Sequence, residues 1–275
     1  MSFVPEHLHA SREDLIGNGG RGRYVLLPGS TGRAAHMAER LSERVTRSHP
    51  RGHDVHLGTW ETNGERIDVA TVGTGMGGPS VEIIVSELLA LGARCLLRVG
   101  TCGSLQQRVA VGDLVIATGA VRDEGAGDAY LPREFPALAS LSLVNALRRG
   151  AQHINPNGRT HCGVVHSKDS LYAREFAQGP LAEEHRRYRS LLTDGGVLAS
   201  EMECATLFTM AAVADQAART NDSTSSVAAG AILAVIGDAH SGFARTVEAK
   251  TAVEQAIDLA YAGLLRFHEL PQSEL

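Results

Sequence analysis

Two arginines stand in glycine-rich stretches that follow apolar runs: Arg33 in Gly29-Ser30-Thr31-Gly32-Arg33, and Arg98 in Arg98-Val99-Gly100-Thr101-Cys102-Gly103. Guanidinium forks, a hydroxyl and open backbone N–H groups together match the geometry of a phosphate oxyanion. Taken singly, either arginine is more often a structural salt-bridge partner. Glu201-Met202-Glu203 is the second group, placed where a helix is expected to open. The helix dipole favours carboxylates there, so capping accounts for both glutamates. A glutamate beside a methionine also suits a sugar, the carboxylate taking two hydroxyls while the thioether packs on the ring.

Three other patterns carry less. Gly73-Thr74-Gly75-Met76-Gly77-Gly78 satisfies Gly-x-Gly-x-x-Gly between an expected strand and helix. A dinucleotide site also needs an acidic residue closing the next strand, and that strand runs instead into Arg98-Val99-Gly100-Thr101. His49, His53 and His56 have helical spacing for a metal, but Pro50 and Gly52 break such a helix, which leaves a surface turn. No Gly-x-Ser-x-Gly elbow is present.

The elements that must hold these groups follow from hydrophobic patterning. Val-, Ile- and Leu-rich runs at 24–28, 67–72, 95–99, 113–118 and 231–236 each lead into glycine, as buried strands feeding ligand loops do. Helical patterns at 34–45, 79–91, 137–149, 201–218 and 247–267 lie between them. Alternation of this kind predicts an α/β fold, with ligand chemistry at the strand C-termini. The polar stretch 219–226 reads as a solvent loop, and the charge-dense 178–196 as a surface helix or a mobile lid.

At 275 residues and 29.1 kDa the chain buries a sizeable core without disulfide or metal staples. With 26 basic and 31 acidic residues its net charge of −5 provides no basic field for nucleic acid. No signal-like N-terminus and no long apolar run are evident, so a protein that does not engage membranes, intracellular and cytoplasmic, is expected. Cys95, Cys102, Cys162 and Cys204 form no Cys-x-x-Cys pair and read as buried, reduced thiols.

Together these pieces resemble the nucleoside phosphorylase family that includes uridine phosphorylases and hexameric bacterial purine nucleoside phosphorylases. The resemblance runs from His7-Leu8-x-Ala10-x-x-x-Asp14-Leu15 through Leu27-Pro28-Gly29-x-x-x-Arg33, Gly75-Met76-Gly77-Gly78-Pro79-Ser80, Leu97-Arg98-Val99-Gly100-Thr101-Cys102-Gly103 and Val111-Gly112-Asp113. It ends at Glu201-Met202-Glu203-x-Ala205-Thr206-Leu207, which covers nearly the whole chain. It implies one α/β domain over 1–275, with a central mixed β-sheet flanked by helices. It further implies a phosphate set of Gly29, Arg33, Arg98 and Thr101, to which Arg51 of a neighbouring subunit is added. Met202, Glu203 and Thr101 match ribose-binding positions, and His7 matches a histidine that reaches the sugar 5′-hydroxyl in a partner's site. Leu171 and Gly103 fall at the base pocket. The implied assembly is a homo-oligomer, at least a dimer and in this family usually a hexamer built as a trimer of dimers.

The implied reaction is attack of inorganic phosphate, a co-substrate with no cofactor, on the anomeric carbon of a nucleoside. Free base and ribose 1-phosphate result. Uridine phosphorylases carry a Gln-x-Arg pair for uracil, whereas Ser170-Leu171-Tyr172-Ala173-Arg174-Glu175-Phe176 stands at the matching place. Ala234-Val235-Ile236-Gly237-Asp238 puts a carboxyl where the purine enzymes place an aspartate that protonates or hydrogen-bonds N7. On this reading Asp238 is the general acid, and purine nucleosides are preferred over uridine. An ordinary role for Asp238 is to start the turn that runs to Gly242. A hydrolytic nucleosidase and a nucleoside-binding protein without turnover are the rival readings, though water as nucleophile gives Arg33 and Arg98 no purpose. Gly52 replaces a glutamate that helps uridine phosphorylases bind a monovalent cation, so no metal is expected. His166, Arg174 and His240 are secondary candidates for touching the base.

Overall fold

The computed structural model describes residues 3–154, 159–221, 226–238, 242–244 and 246–271. In chain order the elements are β1 (Tyr24–Leu27), α1 (Thr31–Ala38), β2 (Ser42–Arg47), β3 (Val55–Thr62), β4 (Glu65–Val72), α2 (Gly78–Ala90), β5 (Cys95–Ser104) and β6 (Leu114–Asp123). Then follow β7 (Ala137–Leu138), α3 (Leu141–Ile154), β8 (Thr160–Lys168), α4 (Ala182–Asp194), β9 (Ala199–Glu201), α5 (Cys204–Asn221), β10 (Ala228–Asp238), β11 (Gly242–Phe243) and α6 (Val247–His268).

All the strands join one mixed sheet, as the patterning implies. β1 pairs in parallel with β4 and β5, and β5 with β10; β6, β8 and β9 also run parallel to one another. β10 meets β6 and β5 meets β9 antiparallel, so β10, β6, β8, β9 and β5 close on themselves and β1, β4, β3 and β2 extend from β5. One apolar cluster, including Val85, Leu88, Leu207 and Phe208, lies under α2 and α5. A second, including Met37, Leu143, Leu147, Ile257 and Leu264, lies under α1, α3 and α6 on the opposite face. Burial on both faces explains why the central strands read as near-continuous apolar runs rather than alternating ones.

Several boundaries differ from the sequence reading for local reasons. The pattern at 34–45 is not one helix: α1 ends at Ala38, and Ser42–Arg47 is an edge strand with five of its six residues exposed. Its apolar spacing is too sparse to separate an exposed strand from a helix. The helix read at 137–149 opens instead with the short strand β7, and α3 begins at Leu141. Glu201 closes β9 rather than opening a helix; α5 begins at Cys204. Residues 178–196 contain α4, none of whose side chains is buried, which is the surface-helix alternative. Of the stretch 219–226, Arg219 to Asn221 belong to α5, while 222–225 lie outside the described residues. Cys95, Cys102 and Cys204 are buried but Cys162 is exposed, and all four are free. No helix among the described residues is long and apolar enough to cross a membrane.

Candidate active site

A cavity of about 520 Å³ opens at the C-terminal ends of β1, β4, β5, β8, β9 and β10, within the range that holds a small metabolite. Gly29, Arg33, Arg98, Thr101, Gly103, Leu171, Met202, Glu203 and Asp238 all line it. Segments separated by two hundred residues thus meet because the parallel strands deliver their ends to one place.

Arg98 is the hub. It sits on β5, 5% exposed, with Nε donating to Glu201 Oε2 at 3.1 Å and Nη2 donating to Glu203 Oε2. Burial opposes its charge, yet Glu203 and Glu201 overcome that and raise its pKa. Its remaining terminal nitrogen, Nη1, is buried without a hydrogen-bond partner among the described residues. A Cβ on Gly100 would stand 2.8 Å from the guanidinium carbon, so glycine there makes room for the arginine.

The two glutamates divide their duties. Glu201 accepts from the backbone N–H groups of Glu203 at 2.8 Å and Cys204 at 3.0 Å, from Ser167 Oγ and from Arg98. Although burial works against it, Arg98 and these donors hold its carboxyl below the usual range. It organises the turn from β9 into α5. Glu203 accepts from Gly77 N at 2.6 Å and from Arg98. Burial, with the nearby Glu201 charge adding to it, pushes its carboxyl up against the pull of Arg98. Gly77 has φ +83°, a left-handed conformation that turns its N–H toward Glu203 and suits glycine. The loop that resembles a dinucleotide fingerprint therefore donates to the protein's own carboxylate.

Arg33 lies in the first turn of α1, whose N-cap Ser30 accepts from the Arg33 amide at 3.1 Å. Its guanidinium makes a 3.4 Å hydrogen bond to Val99 O and no ion pair among the described residues. Burial and the like charge of Arg98 lower its pKa. Two cationic forks facing one cavity, one of them without a carboxylate, form a place where an anion relieves their repulsion.

Beside them is a buried pair that sequence reasoning missed. Lys168, closing β8 at 2% exposure, donates to Glu175 Oε2 at 2.8 Å, Ser200 Oγ at 2.9 Å and Glu201 O at 3.3 Å. Glu175 ends a short π-helical turn (Leu171–Glu175) whose N-cap is Ser170. Phe176 and Phe243 complete this side of the cavity in edge-on contact, with centroids 5.7 Å apart.

Other candidates are placed differently. His166 and Arg174 do not line the cavity; both bind Asp123, at 2.9 Å for His166 Nε2 and 2.6 Å for Arg174 Nε. His166 Nδ1 also meets Ser200 Oγ at 3.0 Å, so these residues brace the lysine from behind. His7 packs on α2, where Glu87 takes its Nδ1 at 2.8 Å and the amides of Glu6, His7 and Leu8. Arg51 is exposed in the turn before β3. Neither His7 nor Arg51 lines this chain's cavity. His49 stacks edge-on with His9, His53 hydrogen-bonds Gly73 O, and His56 lies in β3, so the three share no helix face. Among the described residues no three His, Cys, Asp or Glu are grouped to hold a metal. His240 lies outside them.

Fold and cavity define an α/β protein with a small-molecule site at its strand ends, where two arginines and their glutamates stand in a largely apolar lining. The model of the phosphorylase superfamily matches residues 23–262. A uridine phosphorylase of Treponema pallidum (strain Nichols) is 35% identical over 218 residues, 79% of this chain and 78% of that protein. A guanosine phosphorylase of Halorubrum lacusprofundi is 30% identical over 197 residues, 72% of this chain and 75% of that protein. The crystal structure of a uridine phosphorylase from Vibrio fischeri ES114 superposes with a TM-score of 0.75 at 25% identity, covering 96% of this chain and 94% of that one. The chain belongs to the phosphorylase superfamily, as an enzyme of the nucleoside phosphorylase family.

Proposed function

We propose that the enzyme cleaves the N-glycosidic bond of uridine-type pyrimidine nucleosides with inorganic phosphate, yielding free base and ribose 1-phosphate. The observation that carries this reading is the junction of Arg33, Arg98 and Glu203 in one cavity, because it provides both an anion site and a sugar site. Phosphate lies between the Arg33 and Arg98 forks, with Gly29 and Thr101 beside it. Glu203 accepts the 2′- and 3′-hydroxyls while Met202 packs on the ribose. As the glycosidic bond stretches, positive charge grows on the sugar and the bound phosphate stabilises it before bonding to the anomeric carbon. Holding both reactants in line removes much of the entropic barrier, an effect of up to roughly 7–11 kcal/mol in well-oriented systems. The uridine phosphorylases among the relatives support uracil as the base.

A second reading, purine nucleosides, is favoured by Asp238. Its place in the cavity lining suits a carboxylic acid that meets N7 of a purine, and the stretch Ser170–Phe176 at the matching place holds no Gln-x-Arg pair. The guanosine phosphorylase relative is compatible with it. In either case we propose a cytoplasmic homo-oligomer, a trimer of dimers, in which Arg51 and His7 serve a neighbour's cavity.

The test is base release from uridine, thymidine, inosine, guanosine and adenosine, each with and without phosphate, read by chromatography. Phosphate-dependent release with uridine fastest supports the first reading, and inosine or guanosine fastest supports the second. Release that ignores phosphate overturns both.

A further inference from the structure

A run of polar side chains leads away from Lys168 in the cavity lining, and the phosphate and ribose chemistry does not use it. His166 and Lys168 stand two apart on β8 and so project from one face of the sheet; Ser200 of β9 is in register with His166, and Asp123, which ends β6, is in register with Lys168. His166, Lys168 and Ser200 are 4%, 2% and 3% exposed. Asp123 Oδ2 meets His166 Nε2 at 2.9 Å, His166 Nδ1 meets Ser200 Oγ at 3.0 Å, and Lys168 Nζ donates to the same Oγ at 2.9 Å. The two ends fix the direction of this relay. An ionised carboxylate only accepts and an ammonium only donates, so His166 Nε2 carries a hydrogen and Ser200 Oγ turns a lone pair to the lysine. The middle link is set by charge. Arg174 donates to both Asp123 oxygens, at 2.6 and 2.8 Å, and lies over the Tyr188 ring, itself 5.8 Å from His166. Glu175 is likewise paired with Lys168. Both carboxylates beside the imidazole thus have their own cation, so a second ring proton is not offset and Nδ1 is bare.

We propose that Asp123 and His166 are positioning residues of the active site: Asp123 fixes the Nε2–H tautomer of His166, whose bare Nδ1 takes the Ser200 hydrogen and so turns the hydroxyl oxygen to Lys168. The lysine matters because all three of its hydrogens are used, on Glu175 Oε2, Ser200 Oγ and Glu201 O. It thereby ties the turn Leu171–Glu175 to the end of β9, and these two segments bring Leu171, Met202 and Glu203 to the cavity. With a hydrogen on Nδ1, the Ser200 hydroxyl turns instead to the Glu175 carboxylate, its other acceptor, and competes there with the lysine. The direction of the hydrogen bonds stands on geometry alone, whereas its consequence for turnover rests on the nucleoside phosphorylase reading of the cavity.

Two measurements test it. Nitrogen NMR spectra of the histidine rings near neutral pH, with the His166 signals assigned by their loss in His166→Asn, should show the Nε2–H tautomer in wild type. In Asp123→Ala only the Arg174 donors remain beside Nε2, and the signals should move to the Nδ1–H tautomer. An imidazolium or an Nδ1–H tautomer in wild type, or an unmoved tautomer in Asp123→Ala, overturns the proposal. The second measurement is initial-rate kinetics, varying each substrate at saturation of the other. Ser200→Ala and His166→Gln should raise KM for the nucleoside roughly ten-fold while KM for phosphate moves less than about three-fold. His166→Asn should recover most of that loss, because its side-chain oxygen falls near the place of Nδ1 and accepts from Ser200, whereas glutamine replaces Nε2 and keeps only the Asp123 contact. A role confined to bracing Asp123 gives the reverse order, so glutamine equal to or better than asparagine overturns the proposal. Absence of phosphate-dependent cleavage in wild type overturns the phosphorylase reading and leaves the ring spectra to decide the relay.

Discussion

Arg33→Ala separates the anion site from everything else in the cavity. The Arg33 guanidinium makes one 3.4 Å hydrogen bond, to Val99 O, and no ion pair among the described residues, so truncation leaves no buried carboxylate stranded. It also removes the like charge that faces Arg98. Folding stability should consequently change by no more than about 1 kcal/mol, the range for sites without a cavity or broken network. Binding is another matter. A hydrogen bond to a charged group is worth about 1.5–3 kcal/mol, which converts to a roughly 10- to 150-fold rise in the phosphate concentration needed for half-maximal rate. The assay is initial-rate phosphorolysis of the fastest nucleoside, varying phosphate at saturating nucleoside and then the reverse. KM for phosphate should rise as stated while KM for nucleoside moves less than about three-fold, and Arg33→Lys should recover part of the loss because it restores the charge but not the fork. A phosphate KM within two-fold of wild type, or an equal rise in both constants, would refute the placement of phosphate against Arg33.

Arg98→Ala should behave in the opposite way: it strands the carboxylates of Glu201 and Glu203, so a cost of about 3–5 kcal/mol and a Tm lower by about 10 °C are expected, with both nucleoside and phosphate binding lost. Thermal unfolding at wild-type temperature would contradict the hub role. Asp238→Asn should slow inosine or guanosine cleavage by about ten-fold or more and spare uridine, since only a purine offers N7 to the acid; equal slowing of both classes, measured as kcat/KM, removes the acid role. The Asp123 carboxyl, which burial alone would raise, is pulled down to about 2 by His166 and Arg174. A depressed acid stabilises above its unfolded pKa of about 3.9, so this contribution, about 1 kcal/mol after screening, should be lost as pH falls from 4 toward 2 and be missing in Asp123→Asn. Urea midpoints for the two proteins at pH 7 and pH 3.5 check the sign.

The fold was legible where both faces of a strand are buried. β1, β4, β5, β6 and β10 appear as runs of Val, Ile and Leu leading into glycine because apolar clusters sandwich them. β2 was not legible, since an exposed edge strand such as Ser42–Arg47 has no apolar face to write a period into the sequence. β9 spans only Ala199–Glu201, too short for any periodicity, and its omission moved Glu201 from a strand end to a helix start. That shift had a chemical consequence. On a helix, Glu201 and Glu203 look like equivalent capping carboxylates; at the end of β9 one is saturated by backbone N–H groups and the other is left to face the cavity.

The anion and sugar residues were legible for a different reason. Arg33 and Arg98 each sit in a short glycine-bearing motif, with Gly100 beside the Arg98 guanidinium, whereas Glu203 stands in the glycine-free Glu201-Met202-Glu203 and meets its glycine, Gly77, across 126 residues. For the two arginines, function and backbone constraint therefore fall within a few residues of each other. Lys168 and Glu175 carry no such signal. In Lys168-Asp169-Ser170-Leu171-Tyr172-Ala173-Arg174-Glu175 no glycine or motif marks Lys168 or Glu175, and among the charged residues Arg174 alone reads as a candidate for touching the base. The chain instead turns through one π-helical segment that sends Arg174 outward to Asp123, over the Tyr188 ring at 4.2 Å, and carries Glu175 inward to Lys168. A lysine 2% exposed is tolerable only when its charge is paired and its donors are used, and residues from β9 and the π-turn meet both needs. The buried Lys168–Glu175 pair thus arises from tertiary pairing between segments that carry no motif of their own, which is why it became visible only once the strands had brought them together.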